Sequence, residues 1–288
     1  MAPIVSDQMR VRRRRFEISR RTNLMVGGGI IAFLVAVALL SLVWTPLPPA
    51  KMQIIHKLQP PLAFGVLGTD QFGRDILSML MVGCRNSLSI AIAAVAIGGT
   101  LGSVAGIAAA AVRGPVEALL MRACDVVFAL PPILSAMMLG AFLGPGRLTA
   151  IIAIATFMIP VFARVTLATG LQAWSRDYVL AARAIGNSRF TISVRHVLPN
   201  IMSQIIVQAT IQLGLAVLTE AGLSFLGLGI APPAPTWGRM LADAQTYLAV
   251  APWLAILPGV AIALCVFGFN MLGDGLRDML DPREANRR

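Results

Sequence analysis

The stretch Leu88-Ser-Ile-Ala-Ile-Ala-Ala-Val-Ala-Ile-Gly98-Gly-Thr-Leu-Gly102-Ser-Val-Ala-Gly106-Ile-Ala-Ala-Ala-Ala-Val112 contains no charged residue. As an α-helix it extends about 38 Å, more than the roughly 30 Å of hydrocarbon in a bilayer. It does not alternate apolar with polar, as a strand of a membrane barrel must. Gly98, Gly102 and Gly106 recur at every fourth position, the spacing of small residues that lets two helices approach closely. Packing within the chain, or against a paired subunit, accounts for it. Five further apolar runs lie at 23–44, 126–143, 148 to about 171, 197–218 and 251–272. Arg164 interrupts the fourth, whose end is expected at the membrane interface. Pro131, Pro132, Pro160 and Pro258 fall inside such runs, where neighbouring helices satisfy the freed backbone groups. The expected fold is all-α, a polytopic membrane protein with about six transmembrane helices.

Composition agrees. Of the 288 residues 57% are hydrophobic and 13% charged, with mean hydropathy +0.78; soluble domains carry about 25% charged residues. The net charge of +11 would suit nucleic acid, but 22 of the 24 basic residues are arginines scattered between apolar runs. No basic patch stands beside aromatics, so no nucleic-acid partner is expected. Cys84, Cys124 and Cys265 are far apart and read as packing residues, and His56 and His196 stand alone, so no metal site is expected. A phosphate-binding loop needs a lysine after glycine; Lys51 and Lys57 are the only lysines and neither follows one. The segment Gly222-Leu-Ser224-Phe-Leu226 lacks the second glycine of a nucleophile elbow. No catalytic residue and no cofactor are expected in this chain.

The arginines orient the spans. With the N-terminus inside, eighteen basic residues fall on the inner side: Arg10, Arg12 to Arg15, Arg20, Arg21, Arg113, Arg122, Arg164, Arg176, Arg183, Arg189, Arg195, Arg277, Arg283, Arg287 and Arg288. Six fall outside: Lys51, Lys57, Arg74, Arg85, Arg147 and Arg239. That asymmetry places both termini in the cytoplasm. The basic start followed by a long uncharged run without a small-residue cleavage site reads as a retained anchor. The expected division is a basic tail over 1–22, a first helix with an outer segment over 23–86, and a five-helix core over 87–276. Within the core a cytoplasmic loop occupies 172–196, and a short tail follows over 277–288.

That loop reads Arg176-Asp-Tyr-Val-Leu-Ala-Ala-Arg-Ala-Ile-Gly186-Asn-Ser-Arg189-Phe-Thr-Ile-Ser-Val-Arg195-His-Val-Leu-Pro199-Asn200. It predicts a short helix, a stop at Gly186 in the left-handed conformation, and a second helix leading into the fifth span. Ala181, Ala182 and Ala184 make the first helix narrow enough for a partner's groove; an amphipathic helix resting on the membrane surface is the other reading.

Here the sequence resembles the permease subunits of ATP-binding-cassette importers for peptides and nickel. Ala181, Ala182, Gly186, Leu198 and Pro199 match that family's loop at its spacings, while Leu180 replaces its usual glutamate and His196 its usual isoleucine. The branch supplying the second of two unlike permeases in peptide uptake is matched by three further stretches. These are Leu67-Gly-Thr-Asp70-Gln-Phe-Gly-Arg74-Asp75, then Leu223-Ser-Phe-Leu-Gly227-Leu-Gly229 with Pro232-Pro233 and Trp237-Gly238, and finally Gly273-Asp-Gly-Leu-Arg277-Asp-Met-Leu-Asp281-Pro282. The resemblance implies a type I importer permease in a bacterial inner membrane, paired with an unlike permease. It also implies two cytoplasmic ATPases carrying ATP and Mg²⁺, and an extracytoplasmic binding protein. Ala181, Ala182, Arg183, Gly186, Leu198 and Pro199 would form the ATPase-docking loop, and Asp70, Arg74, Asp75 and Trp237 would face the binding protein. The cargo stays open among dipeptides, longer peptides, nickel chelates and other small solutes. An ATPase-independent membrane scaffold or membrane enzyme is the alternative.

Two features are read from the residues alone. Asn200, Gln204, Gln208 and Gln212 recur every four positions, forming one stripe that drifts about 40° per step. Amides avoid lipid, so the stripe either bonds to other helices or lines the translocation pathway, the latter preferred. Glu220, near the outer end of the same span, is a functional candidate, or else is solvated at the interface or paired with Arg239. The Asp70, Arg74 and Asp75 cluster reads as a salt-bridged turn.

Overall fold

The computed structural model describes residues 3–280, and side chains from residue 22 onward. The side chains of Arg10, Arg12 to Arg15, Arg20 and Arg21 lie outside that description, as do Arg283, Asn286, Arg287, Arg288 and the Asp281-Pro282 end of the last motif. Among the described residues ten α-helices follow one another: α1 (Pro3–Val43), α2 (Ile76–Val112), α3 (Pro115–Ala129), α4 (Pro132–Leu143), α5 (Arg147–Trp174), α6 (Asp177–Ala184), α7 (Arg189–Ile192), α8 (Leu198–Phe225), α9 (Trp237–Ala244) and α10 (Trp253–Leu280). Among the described residues there is no strand, only an isolated bridge between Thr69 and Asp75.

Among the described residues five helices are long and apolar enough to cross a membrane, and α3 with α4, bent at their junction, make a sixth apolar stretch of that length. Three sequence expectations are corrected here. The run at 126–143 is not one helix: α3 and α4 meet at an angle of 87°. Pro131 and Pro132 hold Leu130 and Pro131 extended, at ψ of 130° and 128°, and a helix cannot pass through such a pair. The fourth span is not interrupted at Arg164; α5 continues to Trp174, and the guanidinium is ion-paired with Asp125 of α3. The second helix begins at Ile76, ahead of its apolar run and of the boundary expected at residue 87. Asp75 caps it, its carboxylate accepting from Ser78 N at 2.8 Å and Ser78 Oγ at 2.6 Å. The polar residues of that first stretch are used internally: Asn86 Nδ2 donates to Pro235 O at 2.8 Å, and Arg147 donates to Asn86 Oδ1 at 2.9 Å.

At the centre α2 packs along α5, the most extensive helix pairing in the chain. A Cβ on Gly102 would stand 2.3 Å from Ile159 O, and one on Gly106 2.5 Å from Ala163 O. The small-residue stripe therefore packs within the chain. Around this pair α10 lies against α1 and α8, and α8 against α2 and α5. The main core includes Ile90, Ala94, Ile154, Phe162, Val217 and Trp237. A smaller core of Ala110, Trp174, Val179, Ala182, Ile192 and Val197 closes the end of the bundle carrying α6 and α7, here called the loop end. The far end carries segment 44–75 and α9. From α7 a π-helical turn (Ser193–Val197) leads without interruption into α8, so helical backbone runs from Arg189 to Phe225.

Candidate coupling loop and membrane pathway

At the loop end α6 stops as its sequence requires. Gly186 adopts φ 86°, with Gly186 N donating to Arg183 O at 3.0 Å and Asn187 N to Ala182 O at 3.2 Å. This bond pair closes helices over a left-handed residue, a conformation glycine takes without the Cβ penalty. Ser188 then caps α7, accepting from Thr191 N at 3.2 Å. Val179 and Ala182 point into the smaller core, so Ala182 anchors the helix and is not available for docking, a correction to its assignment. Ala181, Arg183, Gly186 and Pro199 are exposed, and Leu198 is half-buried. Beside them stand exposed Leu180, at the motif's glutamate position, and two apolar side chains the motif did not single out, Ile185 at 80% exposure and Phe190 at 78%. The signal was available, since large apolar residues on a short polar loop with buried neighbours are unusual.

The amide stripe turns as it climbs. Asn200 and Gln204 are exposed, Gln208 is half-buried, and Gln212 is 6% exposed with no partner for Oε1. Three steps of 40° carry the stripe through about 120°, from the surface of α8 to its packed side. Asn200 Nδ2 donates to His196 O at 2.7 Å within the helix. The four amides therefore do not share one surface: Asn200 and Gln204 lie on it, Gln208 at its edge, and Gln212 is turned inward. Further toward the far end, a cavity of about 330 Å³ opens between α4, α5 and α8, lined by Pro132, Ala136, Ile154, Phe157, Thr219 and Gly222 among others. No motif indicated it, because its walls come from three distant segments.

At the far end the 67–75 motif is a folded turn. Asp70 Oδ1 accepts from Phe72 N at 2.9 Å and Arg74 N at 2.8 Å, and Oδ2 from Arg74 Nε at 2.6 Å. Thr69 donates to His56 O and accepts from Gln59 N at 3.0 Å, drawing segment 53–59 over the turn. Gly73, at φ 72°, is needed because a Cβ there would meet Gln53 O at 1.9 Å. Trp237, at the start of α9, is buried against α2, its Nε1 donating to Leu80 O at 3.2 Å. Asp70, Arg74, Asp75 and Trp237 all have buried side chains, so they shape this end from within instead of presenting themselves to a partner. The salt-bridged turn holds for Asp70 and Arg74, whereas Asp75 serves as a helix cap. Glu220 is fully buried and accepts from Ser224 Oγ at 2.5 Å. Arg239 pairs with Asp243 at 3.0 Å, so the Glu220–Arg239 pairing is not formed.

The ion pair of Arg164 and Asp125 was missed in sequence because its partners are 39 residues apart and on different helices. Its side chains are 52% and 59% exposed, and the Arg164 guanidinium lies 4.8 Å from the centre of the Phe128 ring.

Comparison with known proteins places this arrangement. Residues 98–286 match the family described as the binding-protein-dependent transport system inner membrane component. A dipeptide transport system permease protein of Alkalihalophilus pseudofirmus is 38% identical over 93% of this chain and 88% of its own length. A di/tripeptide transport system permease protein of Pseudomonas aeruginosa is 40% identical over 91% and 88%. A glutathione transport system permease protein of Pectobacterium atrosepticum is 43% identical over 75% and 72%. With a polytopic helical fold and matches of this extent, the chain belongs to the family of inner-membrane components of binding-protein-dependent transport systems.

Proposed function

We propose that the chain is one of two unlike permeases forming the pathway of an ATP-driven importer for short peptides delivered by an extracytoplasmic binding protein. The cargo class is taken from the relatives, which are named for dipeptide, di/tripeptide and glutathione transport. The observation carrying the rest is the construction of the loop end. There α6 is anchored by Val179 and Ala182, closed at Gly186, and exposes Leu180, Ile185 and Phe190 beside Arg183. A rigid apolar knob on the end of a bundle helix suits a protein groove better than water. Two cytoplasmic ATPases holding ATP and Mg²⁺ would supply that groove. The arginine asymmetry sets α6 and both termini in the cytoplasm and segment 44–75 with α9 outside.

Ile185→Glu is the direct test, because an exposed side chain can change without disturbing the fold. The variant is expected to insert normally but to lose co-purifying ATPase subunits and binding-protein-stimulated ATP hydrolysis. Undiminished stimulation in Ile185→Glu would exclude α6 as the docking element. Failure of any ATPase to accompany the unsubstituted chain would favour a scaffold. Single-cysteine labelling tests orientation: an impermeant reagent reaching position 188 from outside intact cells refutes it, and position 57 should be reached.

A further inference from the structure

Arg164 and Asp125 are charged, exposed and deep in the bundle. Arg164 precedes the loop end of α5 by ten residues, and Asp125 follows the loop end of α3 by ten. Each helix therefore sets the pair about 15 Å from the loop end; α5 is about 42 Å long, so the pair lies in the inner half of a roughly 30 Å hydrocarbon layer centred on it. A charged side chain at that depth is costly, and lipid offers the exposed side of the pair no hydrogen bonds in return. The exposed side of the pair must face water or protein.

The helices show which. Phe157 lines the 330 Å³ cavity, and Arg164 follows it by seven residues, almost two full turns, on the same face of α5. On antiparallel α8, Thr219 lines the same cavity, and half-buried Gln208 lies within about 20° of its face, toward the loop end. The ion pair and the amide thus continue the cavity wall inward, where it changes from apolar to polar.

Resting on the importer reading above, we propose that Arg164 and Asp125 are a cargo-binding station in this wall. It takes the charged termini of a short zwitterionic peptide, carboxylate to Arg164 and ammonium to Asp125. The guanidinium offers paired N–H donors that match a carboxylate, and Phe128 beneath it holds the plane. Without cargo the two side chains satisfy each other. A zwitterion exchanges one neutral pair for two, so it is recognised without leaving net charge in the membrane, and its release re-forms the original pair.

The test uses the whole importer with Cys84, Cys124 and Cys265 replaced by alanine and with Arg164→Cys. Position 164 is expected to react with water-soluble methanethiosulfonates. With Arg164 retained and Gln208→Cys as the reporter in the same wall, millimolar dialanine should slow labelling severalfold, whereas N-acetyl-dialanine amide, which has no charged terminus, should not. Uptake by the Arg164→Cys importer should fall by about tenfold or more, the scale of losing a hydrogen-bonded charge. The ethylammonium reagent should restore it and the sulfonate reagent should not. An unreactive position 164 in the assembled complex, equal protection by both peptides, or normal uptake would each overturn the proposal. Asp125→Asn supplies a second reading. It should lose dialanine uptake and dialanine protection of the reporter cysteine while the complex stays intact in detergent. Should it instead weaken the complex in detergent while surviving complexes transport normally, the pair is a structural tie between α3 and α5. Protection is read on labelling, so it can fail while stimulated ATP hydrolysis persists, which separates this proposal from the importer assignment.

Discussion

Replacing Gly102 with alanine adds one carbon at the tightest glycine contact between α2 and α5. The new Cβ would stand 2.3 Å from Ile159 O, 2.8 Å from Phe162 Cβ and 3.1 Å from Ala163 N. Ordinary contact begins near 3.4 Å, so α2 and α5 must separate by about 1 Å at this point. Backbone atoms cannot step aside as the tip of a side chain can, and the separation reaches Gly98 and Gly106, whose glycine faces touch the same helix. Overpacking of this kind costs about 1–3 kcal/mol. Alanine recovers up to about 1 kcal/mol of helix propensity, leaving a net loss of about 0–2 kcal/mol. At about 2–4 °C per kcal/mol for a chain of this size, the melting temperature should fall by up to about 8 °C. The free cysteines Cys84, Cys124 and Cys265 are buried, so a thiol-reactive fluorogenic dye reports the melt directly. Gly259→Ala is the internal control: it is also helical, has nothing within 4 Å of its Cβ, and should melt at or above the parent. Gly102→Ala melting as high as Gly259→Ala would show that α2 and α5 are not locked by backbone contact.

Asp75→Ala removes both bonds to Ser78 and should cost about 0.5–2 kcal/mol, seen as faster amide exchange over the first turn of α2; unchanged exchange would mean the cap is dispensable. Gln212→Leu exchanges a buried amide with an unpartnered oxygen for an apolar side chain, so the melting temperature should hold or rise. A clear drop would show that Gln212 finds a partner in the assembled importer. Gln208→Leu should assemble normally, and Gln208→Glu should alter which peptide charges are transported; if both merely destabilise the complex, the stripe bonds helices and lines nothing.

The spans were legible because lipid demands unbroken apolar runs, and Gly186 because a helix followed by Gly-Asn-Ser has few other ways to end. The drift of the amide stripe was legible too, as arithmetic on a four-residue spacing, although the burial of Gln212 needed the positions of α2, α5 and α10. What could not be read depended on partners distant in sequence. Arg164 looks like the end of a span until Asp125 is beside it. Asp70, Arg74 and Trp237 look like recognition residues until segment 53–59 and α2 cover them. The start of α2 was hidden for a different reason: Arg85, Asn86 and Ser87 lower the hydropathy of a segment that is helical on the strength of one cap.

The uninterrupted helical path from Arg189 to Phe225 makes α8 a lever. Its 37 residues span about 55 Å, so a tilt of about 5° pivoted at the loop end displaces Phe225 by about 5 Å. The far arm of that lever carries Leu218, Thr219, Gly222 and Leu223 along the cavity wall, and Ala221 backs directly onto Gly238 of α9. A small rocking of α6 and α7 is therefore magnified where the cavity and α9 lie. The π-turn at Ser193–Val197 sits close to the fulcrum, where a change in helical winding swings the whole arm.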